Sequence, residues 1–327
     1  MRFAALFPGQ LSEKAGMGEA LAAAHPYVRS WFDEIARRTE VDLPSVCFGE
    51  GLPSLHDDLP AQVGVFAVSV AVLDVLAEEH GLEPSASAGY SLGTYAAYVG
   101  AGVLDRWAAL DVLLEAERLL RERAPAGAMG FVIGLPETEI AGEVARLARD
   151  PHEVSIGNVN AAQQVVLTGR REPVLRAIDH LSRRALKAEA LPLAWPMHSP
   201  LLTPVTDALF AFVGRNVRLS WPGRAALYAP MLGRLVRTEE EARQVLATQI
   251  SHPSRWSDVL ASMAEAGETR FAEVGPGDAL SKMHRWTLRR SRAEVLEEPV
   301  GIARFAAEPA AVAPGERGED APREEAT

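Results

Sequence analysis

The stretch that most narrows what this chain can fold into is Gly89-Tyr90-Ser91-Leu92-Gly93. It follows Ser85-Ala86-Ser87-Ala88, a small-residue run that reads as a strand, and leads into a segment from Thr94 that reads as a helix. Glycines at both ends let a strand turn sharply into a helix and hold the central serine strained and exposed. The unpaired N–H groups and the dipole at the helix start can stabilise an oxyanion there. The same five residues also fit a buried serine in a small-residue turn, so the flanking strand and helix carry the argument for chemistry.

Strand, turn and helix in that order place the chain in the α/β class. Residues 2–7 form a short apolar run ended by Pro8-Gly9, the pattern of a buried strand feeding a loop. Residues 63–79 are apolar on nearly every helical face and end near Gly81, which predicts a buried helix. A second long helix is expected over 107–123. The texture changes from about 127 to 190. Strands are expected at 128–135 and 165–169, and amphipathic helices at 137–149 and 172–188. That order points to a small sheet with two helices, inserted into a larger unit formed by 1–126 and 191–300. Residues 308–327 hold six acids, two arginines and few large apolar side chains. They bury too little surface to offset ordering entropy and are expected to be a disordered acidic tail.

Charge and cysteine usage exclude several functions. The 327 residues carry 33 Lys+Arg against 44 Asp+Glu, a net charge of −11 at pH 7. Nucleic acid and anionic lipid both require a cationic footprint, so neither is expected as a partner. One cysteine, Cys47, excludes an internal disulfide framework and a cysteine-based metal site. Pro8-Gly9 interrupts the N-terminal apolar run too early for a secretory signal. The apolar stretch 63–76 contains Ser69 and Asp74 and falls short of the roughly 20 residues that span a bilayer. A soluble, cytoplasmic protein is the expectation.

A serine hydroxyl is a weak nucleophile and needs a base. Of eight histidines, His198 stands in Ala194-Trp195-Pro196-Met197-His198-Ser199-Pro200, an apolar loop held still by prolines. His25, His56, His80 and His152 have polar or charged neighbours, the usual setting of a solvated histidine. On the residues alone, His198 is either the base or a satisfied structural histidine.

Further motifs occur in one order: Phe7-Pro8-Gly9-Gln10, Gly16-Met17-Gly18, the serine pentapeptide, Gly102-Val103-Leu104-Asp105 and Met197-His198-Ser199-Pro200. Gln249 ahead of Pro253 and Trp256, then Glu273-Val274-Gly275-Pro276-Gly277, complete the series. Over about residues 3–290 this closely resembles the malonyl-CoA:acyl-carrier-protein transacylases and the acyltransferase domains of polyketide synthases. The resemblance implies an α/β-hydrolase-like core with a ferredoxin-like small subdomain. It implies Ser91 as nucleophile, His198 as base, and the backbone N–H groups of Gln10 and Leu92 as oxyanion hole. A main-chain carbonyl, that of Gln249, would steady the histidine in place of a carboxylate. Tyr90, Ala116, Asn160 and Met197 would contact substrate, and the Asn158-Val159-Asn160 and Gln164-Val165-Val166 stretches would line the cleft. Acyl-CoA and a phosphopantetheine-borne thioester on acyl carrier protein would be substrates, with no separate cofactor or metal. A monomer is the family expectation.

The sequence departs from that family at one telling place. The malonyl enzymes hold the substrate carboxylate with an arginine eleven residues past the Gly-Val-Leu-Asp aspartate and nine before a loop proline. Counting forward from Asp105 or back from Pro125 reaches Ala116 both times. Arg118 lies about 200° further around the helix, and Arg121 and Arg123 lie on other faces. A malonate carboxylate would be desolvated without a partner, a cost of several kcal/mol, whereas an uncharged acyl group would not suffer it. Tyr90 stands in place of a usual histidine, Thr94 of a glutamate or glutamine, and Leu11 of a common glycine. A pocket rebuilt for a monocarboxylic acyl chain is therefore expected, against drift in a decayed paralogue. The open alternatives are an acyl-carrier-protein hydrolase, a malonyl transacylase despite Ala116, and a non-catalytic docking partner. Lys282, Arg285, Arg289, Arg290 and Arg292 form an acid-free stretch, either a solvated face or a landing patch for an acidic carrier protein.

Overall fold

The computed structural model of the chain describes residues 2–308 apart from 149 and 151. The expected acidic tail, beyond Glu308, lies outside the described residues. Six strands make the larger sheet, in the spatial order β11 (Ala293–Leu296), β10 (Phe271–Val274), β1 (Ala4–Phe7), β2 (Ala86–Gly89), β7 (Ala226–Ala229) and β8 (Arg234–Leu235). Every neighbouring pair is parallel except β7 with β8. All four residues of β1 and of β2 are buried. Both faces of the sheet are covered, which is why these strands read as unbroken runs rather than alternating ones.

The helix expected at 63–79 runs from Asp58 to His80. Its 23 residues are long and apolar enough to cross a membrane, yet 83% of its most apolar window is buried within this protein. A helix apolar all round belongs inside a core, and Val65, Val68, Val72 and Leu76 supply much of one here. The Arg106–Arg123 helix packs beside it, capped by the Asp105 carboxylate, which accepts from the Trp107 and Ala108 N–H groups.

A second sheet follows the order β6 (Lys187–Ala190), β3 (Ala128–Ile133), β5 (Gln164–Gly169), β4 (Val154–Ala161) and β9 (Ser254–Arg255). The first four are antiparallel neighbours, and β9 joins β4 in parallel from a distant part of the chain. The Glu137–Leu147 and Arg171–Ser182 helices close a core around Val132, Val165 and Leu167. The second of these ends at Ser182, not at 188, because residues 187–190 are a strand. Lys187-Ala188-Glu189-Ala190 contains no β-branched or aromatic residue, and only backbone pairing to β3 makes it extended.

Parallel pairing of β1 and β2, with Phe7 opposite Gly89, brings the ends of both strands to one edge of the sheet. The loop after β1 and the turn after β2 therefore meet there, where open α/β sheets place their ligands.

Candidate active site

Close approach of the β1 loop makes the glycines of the turn obligatory. A Cβ at Gly93 would lie 2.1 Å from the Phe7 carbonyl oxygen, and one at Gly89 would lie 2.2 Å from the Gly93 carbonyl. Held against that loop, Ser91 takes a φ of 51°, a left-handed conformation that a non-glycine residue adopts at a cost. His198 shares the feature, with φ 61°. Its backbone N–H donates to the Ile250 carbonyl at 2.6 Å, fixing the loop against the 249–251 turn.

These two strained residues meet: His198 Nε2 lies 2.9 Å from Ser91 Oγ. On the other side of the ring, Nδ1 faces two carbonyls, Gln249 O at 3.2 Å and His252 O at 3.1 Å. Two acceptors at Nδ1 select the tautomer that donates from it, leaving the Nε2 lone pair to accept the serine proton. The His252 carbonyl escapes sequence reasoning, since every residue has a carbonyl and only the turn geometry chooses which ones converge.

The imidazole is 2% exposed. Burial lowers its pKa from 6.5 to about 4, with the two carbonyls pulling the other way. At pH 7 it is therefore neutral and able to accept a proton at Nε2, and it becomes charged only near pH 4. The rate of Ser91 acylation is expected to stay flat from pH 8 down to about 5, then fall. A rapid-quench pH profile with a midpoint near 6.5 would contradict this. The sign for stability is the same: the unfolded histidine takes up its proton below 6.5 and the folded one does not, so stability falls as the pH drops toward 4.

Gln10 and Leu92 line the same cavity as Ser91. The Gln10 side chain donates to Asp58 Oδ1 at 3.0 Å, tying the β1 loop to the start of the long core helix. Among the described residues its backbone N–H has no protein acceptor, as an oxyanion donor requires. Leu11, where glycine is common, has φ 73°. Tyr90 reaches across to the second sheet, donating to Asn160 Oδ1 at 3.0 Å while its ring meets Trp256 edge-on at 5.6 Å. Burial pushes the Tyr90 hydroxyl up to about 12, so it remains a donor at neutral pH.

A cavity of about 210 Å³ opens from Ser91. Ala116, Asn160 and Met197 all line it, where the family resemblance puts them. Asn158, Gln164 and Val166 of the two expected cleft stretches line it too, and Met129, Phe131, Leu191 and Leu193 add an apolar wall that sequence reasoning missed, because nothing local marks which strand face will cover a distant serine. Gln62 and Tyr95 also line it, each on a helix whose cavity-facing side no local pattern marks. No lysine or arginine is among the described residues lining it. Arg118 is held outside by Glu115 at 2.8 Å and by Glu122, and Arg121 by Glu117 at 2.7 Å. A half-buried serine hydrogen-bonded to a buried histidine beside a largely apolar cavity can form and release an ester.

Known proteins resemble this chain over nearly its whole described length. The acyl transferase domain family matches residues 5–313. The malonyl CoA-acyl carrier protein transacylase of Escherichia coli strain K12 is 31% identical over 309 residues, covering 92% of this chain and 98% of that one. Polyketide synthase GfsB of Streptomyces halstedii is 33% identical over 287 residues, 85% of this chain but 5% of that much longer protein. Among solved structures, a malonyl-transacylase in complex with a type II polyketide acyl-carrier protein superposes with a TM-score of 0.87 at 29% identity, covering 94% of this chain and 99% of that one. The malonyl-CoA:acyl carrier protein transacylase of Xanthomonas oryzae gives 0.84 at 30% identity, with coverages of 92% and 96%.

Proposed function

We propose that this chain, which belongs to the acyl transferase domain family and is homologous to the malonyl-CoA:acyl-carrier-protein transacylases, moves an uncharged acyl group from coenzyme A to an acyl carrier protein. The observation that carries the finer part is Ala116, buried in the cavity wall with no lysine or arginine among the described residues that line the cavity. The names of the relatives favour malonate as the alternative acyl group. In this reading the larger sheet is an α/β-hydrolase-like core and the smaller one a ferredoxin-like module, supported by its β-α-β-β-α-β order and by β3 lying between β6 and β5.

The proposed reaction has two halves. Ser91 Oγ bonds to the thioester carbonyl carbon as its proton passes to His198 Nε2, and the C–S bond breaks as that proton goes to the departing thiol. A phosphopantetheine thiol then gives its proton to His198 and attacks the serine ester, and Ser91 recovers its proton. The Gln10 and Leu92 N–H groups receive the oxyanion in each half. The transient imidazolium is steadied by the Gln249 and His252 carbonyls at its Nδ1–H. Intact mass spectrometry after mixing with acetyl-, butyryl- or malonyl-CoA tests the reading. Uncharged adducts should form faster, and added carrier protein should remove them as acyl-carrier protein. Preferential malonyl labelling would overturn the choice of acyl group, and release as free acid would make the protein a hydrolase.

For the carrier protein we propose the basic surface around the Ala279–Thr287 helix. Leu280 and Met283 of that helix line the cavity, while Lys282, Arg285, Arg289, Arg290 and Arg292 are all exposed. Lys282 pairs with Asp278 at 2.7 Å. Arg289→Glu with Arg290→Glu should lower kcat/KM for the carrier protein about tenfold, with the gap widening at low salt. Carrier-protein kinetics equal to wild type would remove this surface from the reaction.

A further inference from the structure

Among the polar side chains of the cavity wall that the reaction does not use are two on helices, Gln62 and Tyr95. Gln62 comes from the long core helix and Tyr95 from the helix after the nucleophile, and both line the cavity with Ala116 and Leu120. They are 7% and 3% exposed, respectively. The Gln62 Nε2 donates to Glu117 Oε2 at 2.9 Å. A carboxylate held by Arg121 only accepts, so the amide is oriented nitrogen toward Glu117 and oxygen away from it. Among the described residues neither Gln62 Oε1 nor the Tyr95 hydroxyl has a hydrogen-bond partner. Neither is sealed from solvent space, unlike Ser87 Oγ or Asn158 Oδ1. Both side chains lie close to Glu117, whose charge, after burial, pushes the Tyr95 hydroxyl further up.

Which acyl groups suit such a wall follows from donor and acceptor matching. A carboxylate offers only acceptors, so it would face Gln62 Oε1 unfavourably and have Glu117 behind it. An alkyl chain would strip water from both oxygens and replace it with nothing. An ammonium would satisfy Gln62 Oε1 but would leave the Tyr95 proton without an acceptor. A hydroxyl is the group that matches both, able to donate to Gln62 Oε1 and to accept from the Tyr95 hydroxyl.

We infer that the Gln62 amide oxygen and the Tyr95 hydroxyl form a polar subsite that selects acyl chains bearing a hydroxyl beyond the reacting carbonyl. This deepens the proposed function and rests on its reading that Ser91 accepts uncharged acyl groups. The test compares kcat/KM of Ser91 acylation for 3-hydroxybutyryl-, 4-hydroxybutyryl- and butyryl-CoA in wild type, Tyr95→Phe and Gln62→Met. One hydroxyacyl thioester should exceed butyryl by about tenfold, the worth of one to two neutral hydrogen bonds. Tyr95→Phe, which removes one oxygen, should bring that ratio near one, and Gln62→Met should do the same. A ratio of rates on one preparation does not depend on how much of a variant folds. If both hydroxyacyl thioesters react no faster than butyryl, or the preference survives both substitutions, the subsite is overturned. If no uncharged thioester labels Ser91 while malonyl-CoA does, the reading beneath it fails instead.

Discussion

Ser91→Ala is expected to abolish the covalent acyl adduct and to lower acyl transfer by about four to six orders of magnitude. The expectation rests on geometry: one hydroxyl sits 2.9 Å from a neutral imidazole, on a turn whose backbone is forced into a left-handed conformation. Alanine fits the same turn and removes only the oxygen, so the fold should be untouched. Cys47, the sole thiol, offers no substitute. It is fully buried, and burial pushes its pKa up to about 12, so it carries no reactive thiolate at neutral pH. Intact mass spectra of the variant with acyl-CoA should show the unmodified protein alone. An adduct forming at the wild-type rate would place the nucleophile elsewhere and remove the whole mechanism.

Ala116→Arg is expected to raise malonyl labelling relative to butyryl labelling by about a hundredfold, equivalent to about 2.7 kcal/mol. Ala116 is 4% exposed on the cavity wall, so an arginine there would be desolvated and available for a bidentate carboxylate contact. Glu117 sharpens the prediction. It already holds Arg121 and Gln62, and adjacent helical residues point about 100° apart, so it should not capture the new guanidinium. If it does, Ala116→Arg with Glu117→Gly should show the shift that the single variant lacks. An unchanged malonyl-to-butyryl ratio in both variants would mean that carboxylate discrimination is not decided at this position.

How much of this was legible beforehand differs from feature to feature. Gly89, Ser91 and Gly93 could be read locally, because a tight turn imposes its demand on neighbouring residues. His198 was narrowed down by its proline-held apolar loop, and the family resemblance selected it. The missing arginine at 116 was a matter of counting. The 172–188 helix expectation runs past the helix end at Ser182, since an edge strand of Lys, Ala and Glu carries no pattern of its own and takes its form from β3. The strand Ser254–Arg255 is two residues long and exists only by pairing with Asn158 and Val159.

By itself, then, the amino-acid sequence determined the chemistry at the centre: a strained serine, a histidine without a carboxylate, and a site lacking its expected cation. The first is a property of residue type and short-range spacing, and the other two are what the family resemblance implies. Tertiary structure alone decided what surrounds them. The second carbonyl at His198, the Tyr90–Asn160 bridge and the wiring of Gln62 to Glu117 each join residues more than 50 positions apart, and the apolar wall likewise comes from a distant part of the chain. Such contacts are selected by how buried surfaces pack and how buried polar groups find partners, and no local pattern in the chain records them.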